Sequence, residues 1–162
     1  LSLEKGCAAL CEAFANAEGV SMRVIGDGPL RSELESRYAS DRIRFTGHLP
    51  WSQIKEILGT AAFMVLPSEW YENNPLTVIE SFTLGTPVLG AGIGGIPELI
   101  VPNENGMIFQ SGNIASLRTA IAAMQAKRDW DYAKISRDAA VKFSATNFYR
   151  ELMRLYTAGT RG

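Results

Sequence analysis

The chain is poor in the residues that hold metal ions and disulfides. Its 162 residues include one histidine, His48, and two cysteines, Cys7 and Cys11. The cysteines are four residues apart in a segment with helical spacing, so they share one helix face and a bond between them would brace little. Buried thiols in a reducing compartment are therefore favoured over a disulfide or a metal pair. With a single histidine, no metal site is expected.

Strong charge and long apolar runs are also lacking. The net charge is −1, from 16 basic and 17 acidic residues, which gives no electrostatic reason to expect nucleic acid or an anionic membrane as a partner. No apolar run approaches the roughly 20 residues of a membrane span, and no signal peptide opens the chain. The expected location is cytoplasmic. Because the chain opens at Leu1 without a methionine, we expect it to be cut from a longer protein.

The chain does contain a regular alternation of short apolar runs with helical patterns. Strands are predicted at 22–25, 42–46, 61–66, 87–89 and 107–109. Helices are predicted at 4–16, 30–38, 51–58, 75–84, 96–101, 114–126, 131–143 and 148–156. This alternation predicts one open, doubly wound α/β domain over residues 1–162, with a parallel sheet covered on both faces. The continuous run 61–66 has the pattern of a buried parallel strand, and 92–95 that of a flexible loop.

Ligands in such folds bind at the carboxyl ends of the strands, which draws attention to the segment from Glu72 to Glu80. It leaves a predicted strand and enters a helix, whose first turn offers free N–H groups to a phosphate. Those donors would come from Leu76, Thr77 and Val78. A diphosphate held there would leave a sugar near Glu72 and a ribose near Glu80. On spacing alone, ordinary surface carboxylates explain the pattern equally well.

The wider string of motifs resembles the C-terminal domain of glycosyltransferase family four, the glycosyl transferases group 1. The matching pieces are Glu72-x7-Glu80, 85–88, 94–100, 105–106, 1–6, 24–29 and 45–47. Each piece is weak, but their order along nearly the whole chain is specific. The resemblance implies a retaining enzyme of the GT-B architecture, which has two Rossmann-like domains. It would move a hexose from a nucleotide diphosphate-sugar to an acceptor hydroxyl, without a metal or other cofactor.

The resemblance also implies roles for single residues. Lys5 and Glu72 would be catalytic: Lys5 would stabilise the leaving nucleoside diphosphate, and Glu72 would orient the donor sugar. Glu80 would bind the ribose hydroxyls. The other donor-binding positions are Gly26 and Gly28 at the nucleotide, His48 and Leu49 near the base, Asn73, Asn74 and Pro75 around the sugar, and the N–H groups of Leu76 and Thr77.

Two parts of the family pattern are missing from this chain. One is the N-terminal GT-B domain with the acceptor site, through which alone a peripheral membrane contact would arise. The other is the first strand, with an Arg that works beside Lys5. Since that strand is central in the family's sheet, we expect a gap that neighbours or another chain must close, and a fragment unstable as a monomer. Other GT-B enzymes, an epimerase or a sucrose synthase-like transferase, stay open, as does an inert interaction module.

Overall fold

Short parallel strands form the centre of the fold. The computed structural model describes residues 1–15 and 17–159, and this part of the chain contains two sheets. The strands are β1 (Met22–Ile25), β2 (Ile43–Gly47), β3 (Met64–Leu66), β4 (Val88–Ala91) and β5 (Gly106–Phe109). One sheet has the order β1-β2 and the other β3-β4-β5, and every pair is parallel. The predicted α/β class with a parallel sheet is confirmed.

Helices connect consecutive strands, as parallel pairing requires. They are α1 (Cys7–Ala15), α2 (Arg31–Tyr38), α3 (Trp51–Thr60), α4 (Leu76–Thr83), α5 (Ile96–Leu99), α6 (Ile114–Ala126), α7 (Tyr132–Lys142) and α8 (Ala145–Gly159). The last begins three residues before its predicted start at Phe148. No helix in the described ranges is both long and apolar enough to cross a membrane.

The core is densest around β4, the middle strand of its sheet. All four residues of β4 are buried, and Val88, Leu89 and Ala91 are fully inaccessible. Phe82 of α4 and Leu117 of α6 are buried in the same core. Each such side chain contributes roughly 1.5–3 kcal/mol relative to an exposed one, so this sheet positions the loops at its carboxyl edge firmly.

The prediction of a buried strand over 61–66 is wrong in length and in burial. Only Met64–Leu66 pairs, and all three residues are half-buried. The reason is the position of β3 at an edge: one side bonds to β4, while the other faces a groove instead of a further strand. The strands therefore form two separate sheets, and the gap that was expected in a single sheet lies between β1 and β3.

The predicted helix over 4–16 is also interrupted. Leu3–Lys5 forms a 3₁₀ turn, and Gly6, with a φ of 62°, separates it from α1. Asn16, the predicted last residue, lies outside the described residues.

Both thiols are free; burial, and secondarily the neighbouring Cys7, raise the pKa of Cys11 to about 11.

Candidate functional site

The loop between β3 and α4 brings together the two residues that the resemblance marks as catalytic. The Lys5 ammonium lies 2.5 Å from Oε1 of Glu72. The same carboxylate oxygen accepts a hydrogen bond of 3.2 Å from the hydroxyl of Ser68, which is fully buried. The Glu72 side chain is 20% exposed and that of Lys5 49%. The Glu72 carboxylate is mostly buried and is held by two hydrogen-bond donors, so its orientation is fixed. The Lys5 ammonium keeps access to solvent.

Lys5 reaches this loop because the N-terminal 3₁₀ turn packs directly against it. Gly6 lies so close to the carbonyl of Pro67 that a Cβ would overlap with that oxygen. The N–H of Glu69 donates to the carbonyl of Glu4 at 2.8 Å. Only a glycine allows both the left-handed backbone and this close approach. Gly6 therefore sets the position of the lysine that precedes it.

A glycine pair braces the same loop from the other side. The N–H of Gly95 donates to the carbonyl of Glu72 at 2.7 Å. A Cβ on Gly94 would lie 2.6 Å from that carbonyl oxygen, and one on Gly95 would overlap with the carbonyl of Asn73. The glycines of the loop at 92–95, which was predicted to be flexible, therefore serve close backbone packing. The sequence analysis did not predict this contact or the role of Ser68. The Gly94-Gly95 pair was the available signal for the contact, and the position of the serine directly after Pro67 was the signal for Ser68.

The first turn of α4 offers fewer free donors than predicted. The N–H of Val78 donates to the carbonyl of Pro75 at 3.0 Å, so this predicted donor already has an acceptor within the chain. This i to i+3 bond tightens the first turn of the helix. The N–H groups of Leu76 and Thr77 have no backbone acceptor in the described part of the chain. Both residues are exposed.

Most of the nucleotide-side residues line one groove. A groove of about 900 Å³ between the two sheets is bordered by Gly26, His48, Leu49, Thr77 and Glu80, among others. His48 and Thr77 are exposed, while Leu49 and Glu80 are half-buried. These residues come from two loops and one helix that are far apart in sequence. The sheet edge gathers them as the parallel fold predicts.

Four further predicted positions, Asn73, Asn74, Pro75 and Gly28, are not among the residues that line this groove. Asn73 and Asn74 are exposed on the loop after Glu72, and Pro75 is buried at the N-cap of α4. Gly28 approaches Leu1, and a Cβ there would overlap with its backbone, so the close contact it permits is to the chain itself. Within residues 1–15 and 17–159 no group of three or more His, Cys, Asp and Glu side chains is arranged to hold a metal ion.

Comparison with known proteins decides the family. A family model described as Glycosyl transferases group 1 matches residues 1–141. The chain belongs to this family. It is 29% identical over 113 residues to a 2-deoxystreptamine N-acetyl-D-glucosaminyltransferase of Streptomyces fradiae, which covers 67% of this chain and 27% of that protein. The resemblance found in the motifs is confirmed.

Solved glycosyltransferases share the fold. A sucrose-phosphate synthase from Thermosynechococcus elongatus superimposes with a TM-score of 0.82 at 24% identity, covering 97% of this chain and 43% of that one. The Anabaena protein HepE, in complex with UDP-glucose, superimposes with a TM-score of 0.81 at 20% identity, and the alignment covers 98% of this chain and 46% of that one. The predicted fold, that of one domain of a GT-B enzyme, is thereby confirmed. The chain spans less than half the length of these proteins.

Proposed function

We propose that this chain is the donor-binding part of a retaining glycosyltransferase, which moves a hexose from a nucleotide diphosphate-sugar to an acceptor hydroxyl. The observation that carries the proposal is the Lys5–Glu72 pair in the loop leading to the N-terminus of α4. The cation and the free backbone donors suit the diphosphate of a nucleotide-sugar, and the oriented carboxylate suits its sugar. Family membership supports the same activity.

The diphosphate binds where positive charge converges. The N–H groups of Leu76 and Thr77 begin α4, and the helix dipole adds partial positive charge there. Lys5 reaches the same loop with its ammonium half exposed. When the bond to the sugar breaks, negative charge grows on the diphosphate, and these groups stabilise it. Since they supply that charge, the proposed reaction requires no metal ion.

Glu72 holds the donor sugar and Glu80 the ribose. A carboxylate accepts hydrogen bonds from two vicinal hydroxyls, and those bonds are stronger than neutral ones. Donor binding draws Lys5 towards phosphate and releases Oε1 of Glu72 for a sugar hydroxyl, so the pair exchanges one partner for the ligand. Asn73, Asn74 and Pro75 shape the wall around the sugar.

The nucleoside lies along the groove. Glu80 is one turn into α4 and half-buried on the groove wall, in reach of a ribose whose phosphate sits at the helix start. Gly26 leaves the backbone open to the nucleotide, and His48 and Leu49 meet the base. The acceptor site belongs to the N-terminal half of a two-domain cytoplasmic enzyme, whose closure over the donor excludes water.

Calorimetric titration of the 162-residue chain tests this proposal. The ligands are UDP, GDP and ADP, each with and without glucose attached. We expect one nucleotide to bind, and Lys5→Met to weaken it by about tenfold, as loss of a charged contact predicts. Lys55→Met, an exposed lysine on α3, is the matched control and should change nothing.

Other outcomes separate the rival functions. An inert interaction module predicts no binding of any nucleotide by a chain that melts cooperatively, and this result would refute the proposal. An epimerase or a sucrose synthase-like enzyme predicts the same donor site. Product analysis with the whole protein distinguishes these. An epimerase glycosylates no acceptor, a sucrose synthase-like enzyme glycosylates fructose, and the proposed enzyme forms a glycoside of another acceptor with unchanged anomeric configuration.

A further inference from the structure

A fully buried serine lies in the loop that carries Glu72. Ser68 follows β3 and Pro67, and its exposure is 0%. A buried hydroxyl needs hydrogen-bond partners, because leaving it unpaired costs free energy. Its Oγ lies 3.2 Å from Oε1 of Glu72, 3.2 Å from the carbonyl of Trp70 and 3.4 Å from the carbonyl of Glu4. Three acceptors therefore compete for a single hydroxyl proton.

Charge decides which acceptor receives that proton. A carboxylate forms a stronger hydrogen bond than a neutral carbonyl does, so Glu72 is favoured over both carbonyls. The N–H of Trp70, 3.4 Å from the same Oγ, can donate to a lone pair of the hydroxyl at the same time. Ser68 thus connects the backbone of its own loop to the carboxylate of Glu72.

The backbone of Ser68 is fixed by two other segments. The hydroxyl of Ser111, in the loop after β5, donates to the carbonyl of Ser68 at 3.1 Å. The N–H of the next residue, Glu69, donates to the carbonyl of Glu4 in the N-terminal 3₁₀ turn at 2.8 Å. Because these contacts hold the loop on both sides of the serine, its hydroxyl has a defined position.

Lys5, the other partner of Oε1, is held less firmly. Lys5 and Ser68 are the two partners of this oxygen within the described residues. The lysine side chain is 49% exposed and ends a flexible four-carbon stem. A carboxylate oxygen can accept two hydrogen bonds, so a sugar hydroxyl can replace Lys5 while Ser68 keeps its own bond.

We propose that Ser68 is a positioning residue for Glu72, whose hydroxyl keeps the carboxylate directed at the donor sugar after Lys5 has moved to the diphosphate. The inference rests on the proposed function for the identity of the ligand. Since Ser68 is fully buried, it acts through Glu72 and touches no ligand itself. Its effect should therefore appear for ligands that reach Glu72 and disappear when Glu72 is removed.

Calorimetric titration of Ser68→Ala measures this effect. The probes are UDP-glucose, GDP-glucose and ADP-glucose, each compared with its free nucleoside diphosphate. The nucleotide-sugar should bind about tenfold more weakly, as loss of a hydrogen bond to a charged group predicts, and the free nucleotide with unchanged affinity. In a Glu72→Ala chain, Ser68→Ala should cause no further loss, because the two residues act as one unit.

Ser81→Ala is the matched control. Ser81 is also 0% exposed, and its hydroxyl donates to the carbonyl of Thr86 at 3.0 Å, within the core. Its replacement removes one buried hydrogen bond of a serine, as Ser68→Ala does, and should leave both affinities unchanged. Equal weakening of the free nucleotide and the nucleotide-sugar by Ser68→Ala would overturn the inference, because it would show a general effect on the fold.

Urea unfolding without a ligand separates this inference from the proposed function. In a Lys5→Met chain, which imitates the departure of the lysine, Ser68→Ala should lower the unfolding midpoint at least about twice as far with Glu72 present as with Glu72→Ala. Ser81→Ala should lower it equally in both. If no nucleotide binds and this coupling is found, the proposed function fails and the positioning of Glu72 by Ser68 is supported. Additive changes in the midpoint would overturn the inference, even where a nucleotide binds.

Discussion

A methyl group at Gly94 should disturb the sugar side of the proposed donor site. Gly94 has a φ of 58°, and a Cβ there would lie 2.6 Å from the carbonyl oxygen of Glu72 and 2.8 Å from its nitrogen. An ordinary carbon–oxygen contact is about 3.3 Å. Gly94→Ala therefore moves the backbone of Glu72 by about 0.7 Å if the loops separate along this line.

The magnitude follows from what Glu72 does in the proposal. A displacement of about 1 Å in a catalytic group lowers the reaction rate on the order of 100-fold. A charged hydrogen bond to a sugar hydroxyl is worth about 1.5–3 kcal/mol, tenfold or more in affinity. We therefore expect Gly94→Ala to weaken binding of the nucleotide-sugar by about tenfold, and to leave the free nucleoside diphosphate nearly unaffected, since it contacts α4 and the groove instead.

Gly112→Ala is the matched control for backbone strain. Gly112 has a φ of 71°, and a Cβ there meets nothing within 4 Å. Both substitutions force alanine into the left-handed region, which costs about 1–2 kcal/mol, so both should lower the melting temperature by a few degrees. Calorimetry at a temperature where both variants are folded then isolates the contact with Glu72. Equal affinity of the two variants for the nucleotide-sugar would refute the assignment of Glu72 to the donor sugar.

Three further predictions concern other parts of the molecule. Glu80→Gln should weaken nucleoside diphosphate and nucleotide-sugar by the same factor, about tenfold, because both carry the ribose; a selective loss for the sugar form in calorimetry contradicts its role. Thr86→Val removes the buried bond from Thr86 Oγ1 to the Leu58 carbonyl, 2.7 Å long, and should reduce the free energy of unfolding by about 1–2 kcal/mol in urea titration; an unchanged midpoint would contradict it. Burial raises the pKa of Cys11 to about 11 and that of Cys7 above its usual value, so a disulfide reagent at about pH 8 should react slowly with native protein and quickly in denaturant; rapid native labelling refutes this.

The strands were predictable because short apolar runs alternate along the chain with segments of helical spacing. Bounds agree within two residues except at β3, where three of the six expected residues pair. Hydrophobicity alone cannot show that one side of β3 lacks a partner, since an edge beside an apolar groove selects the same side chains as a central position. The split sheet was expected from the absent first strand, and it is visible in the pairing.

The sequence pointed to candidate site residues, but it did not predict the contacts between them. Lys5 and Glu72 were each assigned a role, yet their ion pair joins positions 67 residues apart. It depends on the approach of Gly6 to Pro67, and no local pattern encodes such a distance. The use of the Val78 donor inside the first turn of α4 is likewise a detail of cap geometry. The roles of Lys5, Glu72 and Glu80 stay predictions until a donor is bound.

Mapping a bound nucleotide on the chain tests the central claim most directly. Amide chemical shifts are followed by NMR while the tightest-binding nucleoside diphosphate, and then its sugar, are titrated in. The proposal predicts that the free nucleotide shifts Leu76, Thr77, Gly26 and Leu49, and that the sugar adds shifts at Glu72 and its loop. Saturable shifts confined to another surface, or none in a folded chain, would contradict a donor site at α4.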